Sequence, residues 1–215
     1  MSNKIFWFIG ILALIIIGVI VLKDVQQESA IIDYEGQPFI GEESAPVDIV
    51  EFGDYKCPHC QDFNDQIFPI IKEELVETGK AKFYFMNYPV IGPDSTSSAQ
   101  FAEAVYQELG NDVFWDFHHL LFANQTTDEG KTNLFTDEFL KDILTEVASS
   151  DEVEQVMTVY DEGEADNALK SDLSTANSLG VSSTPTVYIN GEKFDGASTG
   201  EFVEKVEEAA NSSDE

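Results

Sequence analysis

The sequence predicts an α/β fold carrying an inserted block of helices and preceded by one N-terminal transmembrane helix. Three observations lead there. Strand-like segments with a helical pattern between them fill residues 47–88, and strand signals return after residue 184. Helical periodicity runs through residues 95–180 between those β-rich ends. Residues 5–22 form an uncharged run rich in Ile, Leu and Phe, broken only by Gly10 and Gly18.

That run comes first in the chain. Eighteen helical residues at about 1.5 Å each nearly cross a hydrocarbon core of about 30 Å. Lys4 lies on one side, whereas Lys23 on the other is followed at once by Asp24, Glu28, Asp33 and Glu35. This slight bias places the N-terminus in the cytoplasm and the rest of the chain outside. A cleavable signal peptide is the alternative. Its apolar region is shorter and ends in small residues, whereas Glu28 precedes Ser29 and Ala30 here. The expectation is therefore a membrane anchor over residues 1–22.

Residues 23–45, with Gly36, Pro38 and Gly41, read as a linker leading into a short first strand. The main domain is expected over residues 46–210. Val47, Ile49 and Val50 begin a β-branched strand. After it come Cys57-Pro58-His59-Cys60 and a helical stripe of Phe63, Ile67, Ile70, Ile71 and Leu75, closed by Gly79. Pro58 suits the first helical position, and Pro69 inside the stripe predicts a kink. Residues 81–88, with Phe83, Tyr84 and Phe85, form the next strand, completing a βαβ unit with a parallel pair.

Ala102, Val105, Tyr106 and Leu109 then open the helical insertion, residues 95–180. Further stripes follow in Val113, Phe114, Phe117, Leu120 and Leu121, in Phe139, Leu140, Ile143 and Leu144, and in Ala165, Leu169, Leu173 and Ala176. Four or five helices are expected, one of them capped by Thr136. Residues 186–189 and Lys193-Phe194 flank Asn190-Gly191, a tight-hairpin signal. A last helix covers about residues 200–210, and residues 211–215 form a polar, disordered tail.

Composition narrows the function. Asp and Glu number 41 against 11 lysines, with no arginine, giving a formal charge of −30. Phosphate binding needs basic patches, so nucleic acid is excluded as a partner. The acidic residues read as a solvated surface of the kind found in salty or alkaline surroundings. Only two cysteines are present, Cys57 and Cys60. One bridge is too few for a disulfide scaffold, so chemistry is the better reading.

A thiolate attacks a disulfide; a thiol does not. At a helix N-terminus the Cys57 sulfur would meet unpaired N–H groups and the positive end of the helix dipole. His59, if protonated, adds a positive charge. Cys60, one turn further in, faces the same side, so Cys57 is expected as the exposed nucleophile and Cys60 as the buried resolving thiol. Zinc is the competing use of such a pair, but it wants four ligands. The chain offers only His118 and His119, which point to different faces of a helix. Thr184-Pro185 precedes a strand. Proline is tolerated there in any case; the functional reading is a cis proline whose loop packs on the cysteines and leaves a backbone edge for an extended substrate.

Cys57-Pro58-His59-Cys60, a late Thr184-Pro185 before a strand, and helices inserted into a thioredoxin-like frame resemble the DsbA family of disulfide oxidoreductases. The resemblance runs from about Pro46 to Ala210. It implies a thioredoxin-like fold in which Cys57 forms mixed disulfides with substrates, Cys60 resolves them and His59 stabilises the thiolate. It also implies that Glu51, six residues before Cys57, is the buried acid that handles the resolving thiol's proton. Substrates are then reduced exported proteins, and a quinone-linked, DsbB-like membrane partner reoxidises the pair. A monomer is expected, with no cofactor beyond the redox-active pair. The apolar anchor and the extreme acidity depart from the pattern, as in Gram-positive relatives that lack a periplasm.

Two other functions stay open on sequence alone. One is a reductase or isomerase, although residues 23–45 are too short for the dimerisation domain isomerases usually carry. The other is a copper-binding protein, whose usual thiol spacing is one residue longer. Trp115, Phe114 and Phe117 read as helical core, and His118 and His119 as surface or partly buried structural positions. Asp54 and Lys56 flank the motif and could tune its field without acting in catalysis.

Overall fold

The computed structural model of the protein describes residues 29–126 and 133–212. The expected membrane helix lies outside them. Among the described residues no helix is long and apolar enough to cross a membrane.

The βαβ unit forms as the alternation predicts. β1 (Phe39–Ile40) is short; β2 (Val47–Gly53) and β3 (Ala81–Asn87) pair in parallel, with Val47 opposite Ala81 and Gly53 opposite Asn87. β4 (Thr186–Ile189) runs antiparallel to β2, and β5 (Glu192–Lys193) closes a hairpin with it. The sheet order is β1-β3-β2-β4-β5. Asn190 and Gly191 both hold positive φ, 47° and 78°, the turn the Asn-Gly pair implies. A Cβ on Gly191 would also lie 2.0 Å from the Ala30 carbonyl oxygen, so only glycine lets residue 30 bond back to the hairpin.

The helix between β2 and β3, α1, is not uniform. It is α-helical over Pro58–Asp62 and Phe68–Ile71 but π-helical over Phe63–Ile67 and Lys72–Val76. Pro69 has no N–H to donate, and the register of the ladder changes just before it. The expected kink is thus a change of hydrogen-bond register. It turns Phe63 and Phe68 onto the sheet, where Phe68 stands edge-on to Phe83 at 5.1 Å and stacks on Trp115 at 5.8 Å. Trp115 is core, as its stripe predicts.

The insertion consists of α2 (Pro93–Ala123), α3 (Asp137–Leu144), α4 (Ser150–Glu162) and α5 (Asp166–Ser178). α2 merges two expected stripes. Gly110 breaks it with φ 75°, ψ −170°, a conformation that side chains resist. Thr136 caps α3 by accepting the Phe139 N–H at 3.2 Å. The last helix, α6 (Thr199–Ser212), runs two residues past the expected start of the tail. Asn211 and Ser212 are therefore helical, continuing the turn begun over Phe202 and Val206.

Each face of the sheet has its own core. Val47, Ile49, Phe83 and Phe85 pack against α1, α2 and α6, while Val50, Phe52, Tyr84 and Met86 pack with Ala176 of α5 and Val181. Full burial of each such side chain contributes about 1.5–3 kcal/mol. A polar seam lies where β3, α2 and α5 meet. Asp172 accepts the Asn87 backbone N–H at 2.6 Å and the Gln37 amide at 2.7 Å, and Asn87 also donates to Glu103 at 2.7 Å.

Candidate active site

β2 delivers its C-terminal end to the start of α1, and the residues between form the site. Cys57 occupies the N-cap position and Pro58 the first helical one. An N-cap side chain normally answers the orphan N–H groups of the first turn. Here the group in that place is a sulfur. The N–H groups of His59 and Cys60 face it and favour its thiolate, although neither completes a hydrogen bond to it. Both cysteines are reduced.

The Cys57 pKa is lowered to about 5, chiefly by a hydrogen bond from the Cys60 thiol. Burial opposes the shift, and Thr184 and the two backbone N–H groups add to it. The Cys60 pKa is raised, first by burial, then by its bond to Cys57 and by the nearby Glu51 carboxyl. The two sulfurs are therefore sharply unequal, with the charge on Cys57. The deeper burial of Cys60 contributes to that inequality, but Cys57 is not the exposed sulfur that was expected. Cys57 is only 3% exposed against 0% for Cys60, because the 184–185 loop covers it.

That loop is the second expected element. The Thr184–Pro185 peptide bond is cis. The Cys57 sulfur lies 3.4 Å from the Thr184 carbonyl oxygen, to which the thiol donates. Thr184 Oγ1 is a buried atom with no other partner among the described residues, and it is the donor this loop can offer a thiolate.

Glu51 lies on β2 beneath both sulfurs, 2% exposed. Burial drives its pKa well above the usual carboxylate value; the Cys57 charge adds to this and a hydrogen bond with Cys60 works against it. Its carboxyl thus holds a proton more tightly than an ordinary carboxylic acid and is in touch with Cys60. His59 is placed differently from the expectation. Its side chain is 81% exposed and its Nδ1 is 3.8 Å from Asp62 Oδ2. What His59 offers Cys57 in this geometry is its backbone N–H.

Sequence reading missed the full burial of His118, the Lys56–Asp94 pair and the burial of Asp54, whereas a partly buried His119 was expected. His118 is fully buried, not superficial, and its Nδ1 is 3.0 Å from the Tyr55 hydroxyl. Burial, then the neighbouring His119, depresses its pKa well below the usual histidine value. His119 is half-buried against Asn64, and burial lowers its pKa to about 4. Lys56 pairs with the buried Asp94, which also accepts the N–H groups of Leu134 and Phe135. Asp54 is buried too, its carboxylate turned toward the loop at residues 90–91. The apolar stripe of α2 gave the only hint about His118, which falls four residues after Phe114.

The chain is similar to known proteins. The thioredoxin family model matches residues 33–208. A probable disulfide bond formation protein D of Bacillus anthracis is 35% identical over 186 residues, covering 85% of this chain and 84% of that one. Disulfide bond formation protein D of Bacillus subtilis is 36% identical over 156 residues, 73% of this chain and 68% of that one. The crystal structure of oxidised BdbD from Bacillus subtilis superposes with a TM-score of 0.77 at 33% identity, covering 83% of this chain and 95% of the other.

Proposed function

The chain belongs to the thioredoxin family and is a DsbA-like thiol–disulfide oxidoreductase, and from that premise we propose that it is an extracytoplasmic oxidase. Its Cys57–Cys60 disulfide introduces disulfides into reduced exported proteins, a quinone-linked membrane partner restores it, and residues 1–22 anchor it to the membrane. The unequal pair of sulfurs carries this reading.

In the oxidised protein a substrate thiolate attacks Cys57 Sγ and breaks the Cys57–Cys60 bond. Cys60 leaves as a thiolate and takes the proton of Glu51. A second substrate thiolate then attacks the substrate sulfur of the mixed disulfide, and Cys57 leaves. The substrate loses two electrons and the protein gains them. Cys57 is a good leaving group because its thiolate is stable, while a buried Cys60 thiolate is quenched by the acid beneath it. The backbone beside Pro185 is the edge an extended substrate would pair with.

The pKa asymmetry also supports the oxidising direction. The folded pKa of Cys57, about 5, lies below its unfolded value, so the thiolate stabilises the reduced fold above the unfolded pKa. That stabilisation is lost as pH falls from about 8.5 through about 5. At pH 7 two pH units of it remain, about 2 to 3 kcal/mol. Stabilising the reduced form makes the disulfide oxidising.

Two measurements test the proposal. The reduced protein should melt higher than the oxidised one at pH 7, with a thiolate absorbance midpoint at 240 nm near 5. An oxidised form that melts higher, with a midpoint near 8.5, would assign the chain to reduction instead. Cys57→Ser should abolish oxidation of a reduced model substrate. Cys60→Ser should trap mixed disulfides visible on non-reducing gels; normal turnover by that variant would remove the assigned roles.

A further inference from the structure

We propose that Asp54 is a positioning residue for Cys60: its buried carboxylate locks the loops around the motif and so holds its own backbone N–H against the Cys60 sulfur. The inference rests on the proposed roles of Cys57 and Cys60 and adds a residue to them.

The geometry converges on this one side chain. Asp54 is 2% exposed. Its Oδ1 accepts the Lys56 N–H at 2.9 Å, and its Oδ2 accepts the N–H groups of Val90 and Ile91 at 2.7 and 2.9 Å. Its carbonyl oxygen accepts the Cys57 N–H at 2.9 Å, and its own N–H is directed toward the Cys60 sulfur without completing a hydrogen bond to it. The residue thus bonds to the backbone of one cysteine and directs its N–H toward the sulfur of the other, while its carboxylate spans to the β3–α2 loop. Val90 and Ile91 are 49% and 51% exposed, so burial does little to hold that loop. The two hydrogen bonds to Asp54 hold it. A carboxylate accepting three backbone N–H groups is well satisfied, and each charge-assisted bond is stronger than a neutral one.

The chemical consequence falls on one bond. When Cys60 leaves, or in reverse attacks the Cys57–substrate disulfide, negative charge gathers on its sulfur inside the core. A fixed N–H pointing at that sulfur stabilises the charge without reorganisation. If the carboxylate goes, the N–H loses its fixed place while Cys57 keeps the two N–H groups at its helix start.

Reduced full-length protein mixed with one equivalent of 5,5′-dithiobis(2-nitrobenzoate) reads the two sulfurs separately. Cys57 attacks first and releases one thionitrobenzoate. Cys60 then attacks Cys57 Sγ, releases the second and forms the internal disulfide. Asp54→Ala should slow the second release roughly tenfold, the effect of losing one hydrogen bond to a charged group. The first release and its pH midpoint should change less than twofold. Asp54→Asn keeps one acceptor oxygen and should slow the second release by about threefold, which preserves the test if the alanine variant folds poorly. Val156→Ala, in the core of α4, should lower the melting temperature and leave both phases alone. Equal slowing of both phases, or Asp54 variants that melt lower with an unchanged second phase, would overturn the proposal. A wild type that never releases a second equivalent would overturn instead the roles of the cysteines.

Discussion

Glu51 and the Glu103–Asp172 pair are equally buried, yet they face partners of different kinds. Glu51 and Glu103 are each 2% exposed and Asp172 is 0%. Tyr55 lies within electrostatic reach of all three. Burial raises the pKa of each carboxyl. Around Asp172 the surroundings are fixed: the Gln37 side-chain amide and the Asn87 backbone N–H donate to it, and the Glu103 carboxyl lies beside it. Glu51 instead faces two sulfurs whose charge changes during reaction, and its Oε1 has no partner among the described residues. A raised pKa therefore does not mark a catalytic acid. What matters is whether the group it faces gains and loses charge. The seam joins α2 and α5 to β3, whereas Glu51 is left free to give up its proton.

Glu51→Gln is the sharpest test of that contrast. Glutamine fills the space and cannot deliver a proton, so substrate oxidation at pH 7 should fall by one to two orders of magnitude. Melting should move little, since glutamine keeps the volume and the neutral, hydrogen-bonding character of the protonated side chain. Loss of stability with activity intact would put Glu51 in the same class as the seam. Glu103→Gln and Asp172→Asn should do the reverse, leaving turnover within about twofold and changing the pH dependence of stability. Their folded pKa values are raised, Asp172 to about 6. The seam's contribution is then present below about pH 4 and lost as pH rises through 6. Wild-type stability in EDTA, where no divalent cation screens the pair, should fall by about 1–3 kcal/mol over that window. Either variant should flatten the curve, and an unchanged curve would mean that the pair does not share a proton. The smallest effect concerns the surface. The ion pairs of Lys80 with Glu207 and Lys205 with Glu192 are half-exposed and contribute at most about 1 kcal/mol each. A net charge of −30 should therefore repel itself more than these pairs hold it. Molar sodium chloride should raise the melting temperature by a few degrees. A flat response would show the acidic groups too dispersed to matter.

Much of the site was legible because local rules fix it. Cys57 and Pro58 stand at a helix start for reasons of capping alone, and Asn190-Gly191 makes its turn without help from the core. Glu51 came from a family pattern; its alternation on β2 alone would mark only an inward-facing position. His118 was misjudged because adjacent histidines on a helix reveal two faces without saying how deep each lies. Cys57 was expected to be exposed, since nothing local to residue 57 shows that residues 184–185, over a hundred positions later, fold across it.

The sequence by itself determined the strands, the break at Pro69, the helical insertion and the pairing of two cysteines one turn apart. These follow from periodicity, capping and backbone chemistry within a few residues. The tertiary structure alone decided what surrounds each sulfur. Cys57 answers the first-turn N–H groups and the 184–185 loop, while Cys60 is pressed into the core against Glu51. It also decided that Asp54 reaches residues 90–91 and that Glu103 meets Asp172. A pKa depends on burial and on charges within a few ångströms, and those neighbours come from distant parts of the chain.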